Sequence, residues 1–186
     1  MTLDCPSDCP YLQQARQHEN PRHIAELERD AFLPSVEVGE QFVYEHEHLL
    51  MGLSFALAKS TRASRSLVDR DLIAALTSLA KSYETLVNSS LIYGEASTNL
   101  AHQTIAKEVE TMVKEYRDAE HNHLGFTRLR DSDVLKGLVF VLRLGLNRTN
   151  GRPKSRAFVD FLMKQFPEKQ SPIASPDETS NRIIVP

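Results

Sequence analysis

The sequence predicts an all-α fold, a single bundle of about six helices. Three observations carry that expectation. Apolar side chains return every three to four positions over most of the 186 residues. Only 7 glycines and no tryptophan are present, which suits helices better than a turn-rich β fold. Two segments, 44–60 and 132–147, are apolar nearly all round, as helices at the centre of a fold are.

The elements follow in chain order. Pro10 suits the first turn of a helix reaching about Glu19, and Pro21 a second with Ile24, Leu27 and Phe32 inward. Residues 33–43 read as a loop, punctuated by Pro34 and Gly39. Residues 44–60 are apolar nearly all round, as are 132–147, so both are expected at the centre of the fold. Between them, Leu72, Leu76, Leu79, Tyr83 and Leu86 form one stripe along 70–91, with Asp69 or Ser66 as its cap. Ala101, Ile105, Val109, Met112, Val113 and Tyr116 form another along 98–120, capped by Ser97 or Thr98 and closed by Gly125. These two helices are expected to flank the central pair as long antiparallel neighbours, because short connections keep successive helices adjacent. Asp131 or Ser132 caps 132–147. Asn150-Gly151-Arg152-Pro153 breaks the chain, and a short helix over 154–166 ends at Pro167.

Residues 1–167 are therefore read as one helical domain and 168–186 as a disordered tail, too polar and proline-rich to offset its ordering entropy. Ile183-Ile184-Val185 within it are suited to docking on this chain or on a neighbour. An internal echo accompanies this organisation. Residues 49–57 align with 134–142 at an offset of 85, with Gly, Leu, Phe and Leu in register, and each segment leads into a basic loop and a further helix. A duplicated helical hairpin is one explanation; the limited vocabulary of buried helices is the other.

Composition excludes several roles. The net charge is −3, so a broad non-specific grip on nucleic acid is not expected. No run of 18 apolar residues occurs, and membrane spanning is not expected. Two cysteines and no recognisable export signal point to a reducing, cytoplasmic setting. The sequence carries no glycine-rich phosphate loop, no G-x-S-x-G, no H-E-x-x-H and no dinucleotide fingerprint.

Three constellations remain. Glu45-His46-Glu47-His48 and Glu120-His121-Asn122-His123 each contain Glu-x-x-His, which places a carboxylate and an imidazole on one helical face, the spacing of di-iron carboxylate bundles. Such a site needs further inward carboxylates, for which Glu84 and either Glu26 or Glu28 are the candidates. His48 and His123 fall near helix ends, where a solvated surface is the competing explanation. Neutral imidazoles at His46, His48, His121 and His123 also suit zinc, copper, nickel or iron. The second constellation is Cys5-Pro6 with Cys9-Pro10. It could complete a transition-metal site, or bind haem through a thiolate, and Cys9 at a helix start has its thiolate favoured by the helix dipole. The third is basic. Arg148, Arg152, Lys154 and Arg156 surround the Asn150-Gly151 turn, with Arg143 nearby and Arg62 and Arg65 in the earlier loop, and their forks suit a phosphate or carboxylate. The leading expectation is a non-enzymatic helical interaction or scaffold protein that associates with itself or with a protein partner. A metal or haem binder and an anion-responsive module are the alternatives.

Overall fold

The computed structural model describes residues 33–89 and 99–167. Helices expected over 10–19 and 21–32, and the tail, lie outside these residues. Six helices and no strand occur among the described residues. They are α1 (Glu40–Glu45), α2 (Glu47–Ala63), α3 (Asp69–Ser89), α4 (Leu100–Leu124), α5 (Asp131–Arg148) and α6 (Ala157–Gln165).

The long helices start and stop close to where periodicity puts them. Asn99 caps α4 by accepting from the Ala101 N–H at 2.9 Å, and Gly125 ends it in a left-handed conformation, φ 77°. The Asp133 carboxylate accepts from the Arg130 N–H at 3.1 Å and tightens the entry to α5. The stretch 33–43 is only partly a loop, since its last residues form α1. Helix α1 meets α2 at His46, whose φ of −119° and ψ of 26° break the continuous helix expected from Tyr44 onward. The Phe42 carbonyl accepts from both the backbone N–H and the Nδ1 of His46, and the two rings stack at 4.3 Å. Residues 33–38 are held to the bundle by Arg143, which donates to the Leu33 and Val36 carbonyls.

Four helices make a closed ring. Helix α3 packs on α5 and α4, and α2 packs on α4 and α5. The expected pattern of adjacency is corrected here. Helices α2 and α3 share no substantial face although only residues 64–68 separate them; they stand on a diagonal. Helices α3 and α4 are neighbours but run parallel. His102, early in α4, lies 3.7 Å from Asp71, early in α3, and Arg117, late in α4, acts on Tyr83, late in α3. The chain length permits this. Helix α3 is about 31 Å long, and the eleven peptide steps from Ser89 to Leu100 reach about 36 Å or more. Helix α4 opposes α2, with Lys59 beside Glu108 and Gly52 beside Met112.

Helix α6 plugs the end of the ring where α2 and α5 finish and α3 begins. Phe158, Val159 and Leu162 enter the core, which also contains Leu49, Leu53, Leu57, Leu72, Leu76, Ile105, Val109, Leu138 and Leu142. The aligned segments 49–57 and 134–142 are both buried helix, and they touch: Gly137 admits Leu49 and Leu53. Their glycines are not equivalent, since Gly52 faces Met112 of α4 rather than α5.

Candidate functional site

The two ends of the bundle hold the candidate residues and differ in kind. At the plugged end, Asp69 is fully buried. The sequence suggested that it caps its own helix; it caps another. Its Oδ1 accepts from the Phe158 N–H at 3.1 Å and the Val159 N–H at 3.0 Å, and its Oδ2 accepts from the Ser155 hydroxyl. The Asp69 N–H in turn donates to the Ser155 carbonyl at 2.8 Å. The residue at the start of α6 is Arg156, whose side chain has no acceptor to offer its own helix. Asp69 supplies that acceptor from across the bundle, where the positive end of the helix dipole also favours its charge.

The basic constellation belongs to the same end. Arg156 donates to the Arg65 and Leu67 carbonyls at 2.7 and 2.6 Å. Arg62 donates to the Phe166 carbonyl. Arg148 stacks on the Phe161 ring, 4.2 Å from its centre. Two of the four expected anion ligands, Arg148 and Arg156, are therefore engaged within the protein. Arg152 and Lys154 are exposed.

At the opposite end lies a cleft of about 880 Å³. One lip is the α1–α2 junction with Glu45 and His46. The other is the α4–α5 connection with Phe126, Thr127, Arg128, Leu129 and Arg130. Tyr116 and Glu120 of α4 form the floor. Burial raises the pKa of Tyr116, with the Glu120 carboxylate adding to the effect. Glu120 Oε2 accepts from the Arg128 and Leu129 N–H groups at 3.0 and 2.9 Å, which folds the connection back over α4. Arg117 ties α4 to the start of α5 through Asp131 at 2.6 Å.

The expected metal ligands divide between this cleft and the surface. Glu45, His46 and Glu120 line the cleft together. His48, His121 and His123 are exposed. Glu84 lies elsewhere, accepting from the Ser35 hydroxyl at 2.8 Å. Cys5, Cys9, Glu26 and Glu28 lie outside the described residues. Among the described residues, no group of three or more His, Cys, Asp or Glu could hold a metal ion. No described helix is long and apolar enough to cross a membrane.

Sequence reasoning missed the exposed aromatic side chain of the cleft. Phe126, 57% exposed, lines it, while Tyr44 (83%), Leu124 (48%) and Met51 are exposed on the helices around it. The signal was available at Phe126, an aromatic residue between Gly125 and a polar connection, where no helical stripe explains it. No protein-family model, curated protein or solved structure matches the chain.

Proposed function

We propose that this chain is a helical interaction module that docks another polypeptide through the cleft between α1–α2 and the α4–α5 connection. One observation carries the reading. Phe126, 57% exposed, lines the cleft itself, and Tyr44, Met51 and Leu124 are exposed on the elements that bound it, on α1, one turn into α2 and at the close of α4. Gathered exposed apolar surface marks association sites more often than solvated surface. Tyr, Phe, Met and Arg, the residue types found here, are those enriched in interfaces.

A photo-crosslinking residue in place of Phe126, introduced in cells producing the full chain, tests this. Crosslinks to polypeptide are expected at 126 and not at Lys107, an exposed residue on α4 away from the cleft. Equal or absent crosslinking at both positions would defeat the proposal.

A transition-metal reading has Glu45, His46 and Glu120 on the same cleft, but they do not by themselves form a group able to hold a metal ion, so it requires a ligand from outside the described residues, such as Cys5 or Cys9. Elemental analysis of the purified full chain decides it. Stoichiometric metal that is lost in His46→Ala supports this reading, and metal-free protein removes it.

A further inference from the structure

The cleft has lips of opposite charge. From Ser35 to Ala58 the chain carries Glu37, Glu40, Glu45 and Glu47 and no Lys or Arg. All four except Glu37 belong to α1 or the start of α2, and all four are exposed. Tyr44 is exposed on the same helix, α1. Across the cleft, Arg128 and Arg130 are exposed beside Phe126. The acidic groups on that side are bound within the protein: Asp131 by Arg117, Asp133 by the Arg130 N–H, and Glu120 by the Arg128 and Leu129 N–H groups. Lys136 stands over the Phe42 ring of α1, 5.6 Å from its centre, and Gln41 donates to Glu45, but four exposed carboxylates still outnumber that one cation, so the first lip is net acidic and the second net basic.

A surface built this way is complementary to itself under a two-fold rotation. The rotation sets the acidic lip of one copy against the basic lip of the other, twice, and brings Tyr44 and Phe126 of each copy into one apolar centre. A two-fold pair uses the same patch on both chains, so a single surface must supply both signs, and this one does. We infer that the occupant of the cleft is a second copy of this chain, held in a two-fold dimer by Glu45 and Glu47 against the partner copy's arginine lip. This inference rests on the docking reading above and names its partner.

The experiment is a charge swap on the full chain, read by sedimentation velocity at about 100 µM, which populates any dimer with a low-micromolar Kd. Wild type is expected to be dimeric. Arg128→Glu with Arg130→Glu makes both lips acidic, and Glu45→Arg with Glu47→Arg makes both basic. Like charges then oppose each other at both contacts, and each variant alone is expected to weaken association by tenfold or more, roughly. Mixing the two variants restores attraction at both contacts, so a heterodimer should form. Its recovery also shows that both variants are folded. A monomeric wild type overturns the inference, as does a dimer indifferent to both reversals, or a mixture that stays monomeric. If wild type is monomeric while position 126 still crosslinks to other polypeptides, the docking reading survives and the second copy is excluded. If position 126 crosslinks to nothing, the docking reading fails as well.

Discussion

The plugged end and the cleft end of this bundle invert each other's chemistry. All five buried polar residues of the described chain, Ser60, Thr61, Asp69, Thr149 and Ser155, lie at the plugged end. There four of these side chains are bound within the protein, with Ser60 and Thr61 donating to the Ala56 and Ala58 carbonyls and Asp69 and Ser155 binding each other and α6, while the neighbouring Arg62 leaves its buried Nε without a partner. At the cleft end the arrangement is reversed, with apolar side chains exposed and much of the polar capacity left on the surface. Buried polar groups that are fully paired fix one arrangement of the elements that carry them. Exposed apolar groups stabilise nothing until something covers them. The first end therefore holds the fold, and the second is the one the proposed docking would use.

The largest expected effect strikes the plugged end. Asp69→Ala leaves two helix N–H groups and the Ser155 hydroxyl without their acceptor in a dry site, and should lower the unfolding free energy by about 3 kcal/mol in urea denaturation. Asp69→Asn keeps the oxygen that faces the N–H groups and should cost about half as much. A loss under about 1 kcal/mol for the alanine variant would mean that α6 does not depend on this cap.

Glycine substitutions grade the same contrast along the bundle. A Cβ at Gly145 would meet the Phe158 ring at 2.9, 3.1 and 3.3 Å, and that ring is fully buried beneath α6. A Cβ at Gly137 would meet the end of Leu53 at 2.9 Å, and one at Gly52 the sulfur of Met112 at 2.8 Å. A rigid buried ring gives least and a half-exposed, unbranched Met gives most. Overpacking costs about 1–3 kcal/mol, against a helix-propensity gain of up to about 1 kcal/mol. Gly145→Ala should therefore be clearly destabilising, Gly137→Ala mildly so, and Gly52→Ala close to neutral. Thermal midpoints in any other order would contradict the packing described.

Alkaline pH probes the later part of the α3–α4 contact. Burial raises the Tyr83 pKa, outweighing the opposing influence of Arg117. The folded state thus holds the phenolic proton more tightly than the unfolded chain does. That contribution is whole below about pH 10, the ordinary Tyr value, and is lost as pH rises through the folded-state pKa. Urea midpoints measured on either side of pH 10 should fall with pH, and Tyr83→Phe should flatten the fall. Tyr116 titrates in the same direction, so some slope is expected to remain in the variant.

The helices were legible because burial writes itself into the sequence as a period. Ile105, Val109 and Val113 recur on one face of α4 and are all buried. Direction and neighbour were not legible. Nothing in the spacing of Leu72 or Val109 distinguishes a parallel from an antiparallel partner, because either arrangement buries the same stripe. The cap of α6 was hidden for a related reason. Asp69 sits at the head of its own helix, where a carboxylate is ordinary, and only the fold carries Phe158 and Val159 to it. The two Glu-x-x-His pairs show the limit from the other side. Helical spacing aligned Glu45 with His48 and Glu120 with His123, but the break at His46 turned Glu45 and His46 into the cleft and left His48 outside.

The smallest expected effect on stability is also the one that separates the two ends most sharply. Phe126→Ser removes a ring that is 57% exposed and lies in a connection, so little burial is lost. Substitutions of that kind usually change stability by no more than about 0.5 kcal/mol. The thermal midpoint of a dilute sample should therefore stay where it is. At high concentration the outcome should differ, because association adds stability by mass action and the variant cannot collect it. The wild-type midpoint should climb with concentration while that of Phe126→Ser stays flat. A drop in the dilute midpoint comparable to that of Asp69→Ala would place Phe126 in the structural core instead, and the division of labour between the two ends would collapse.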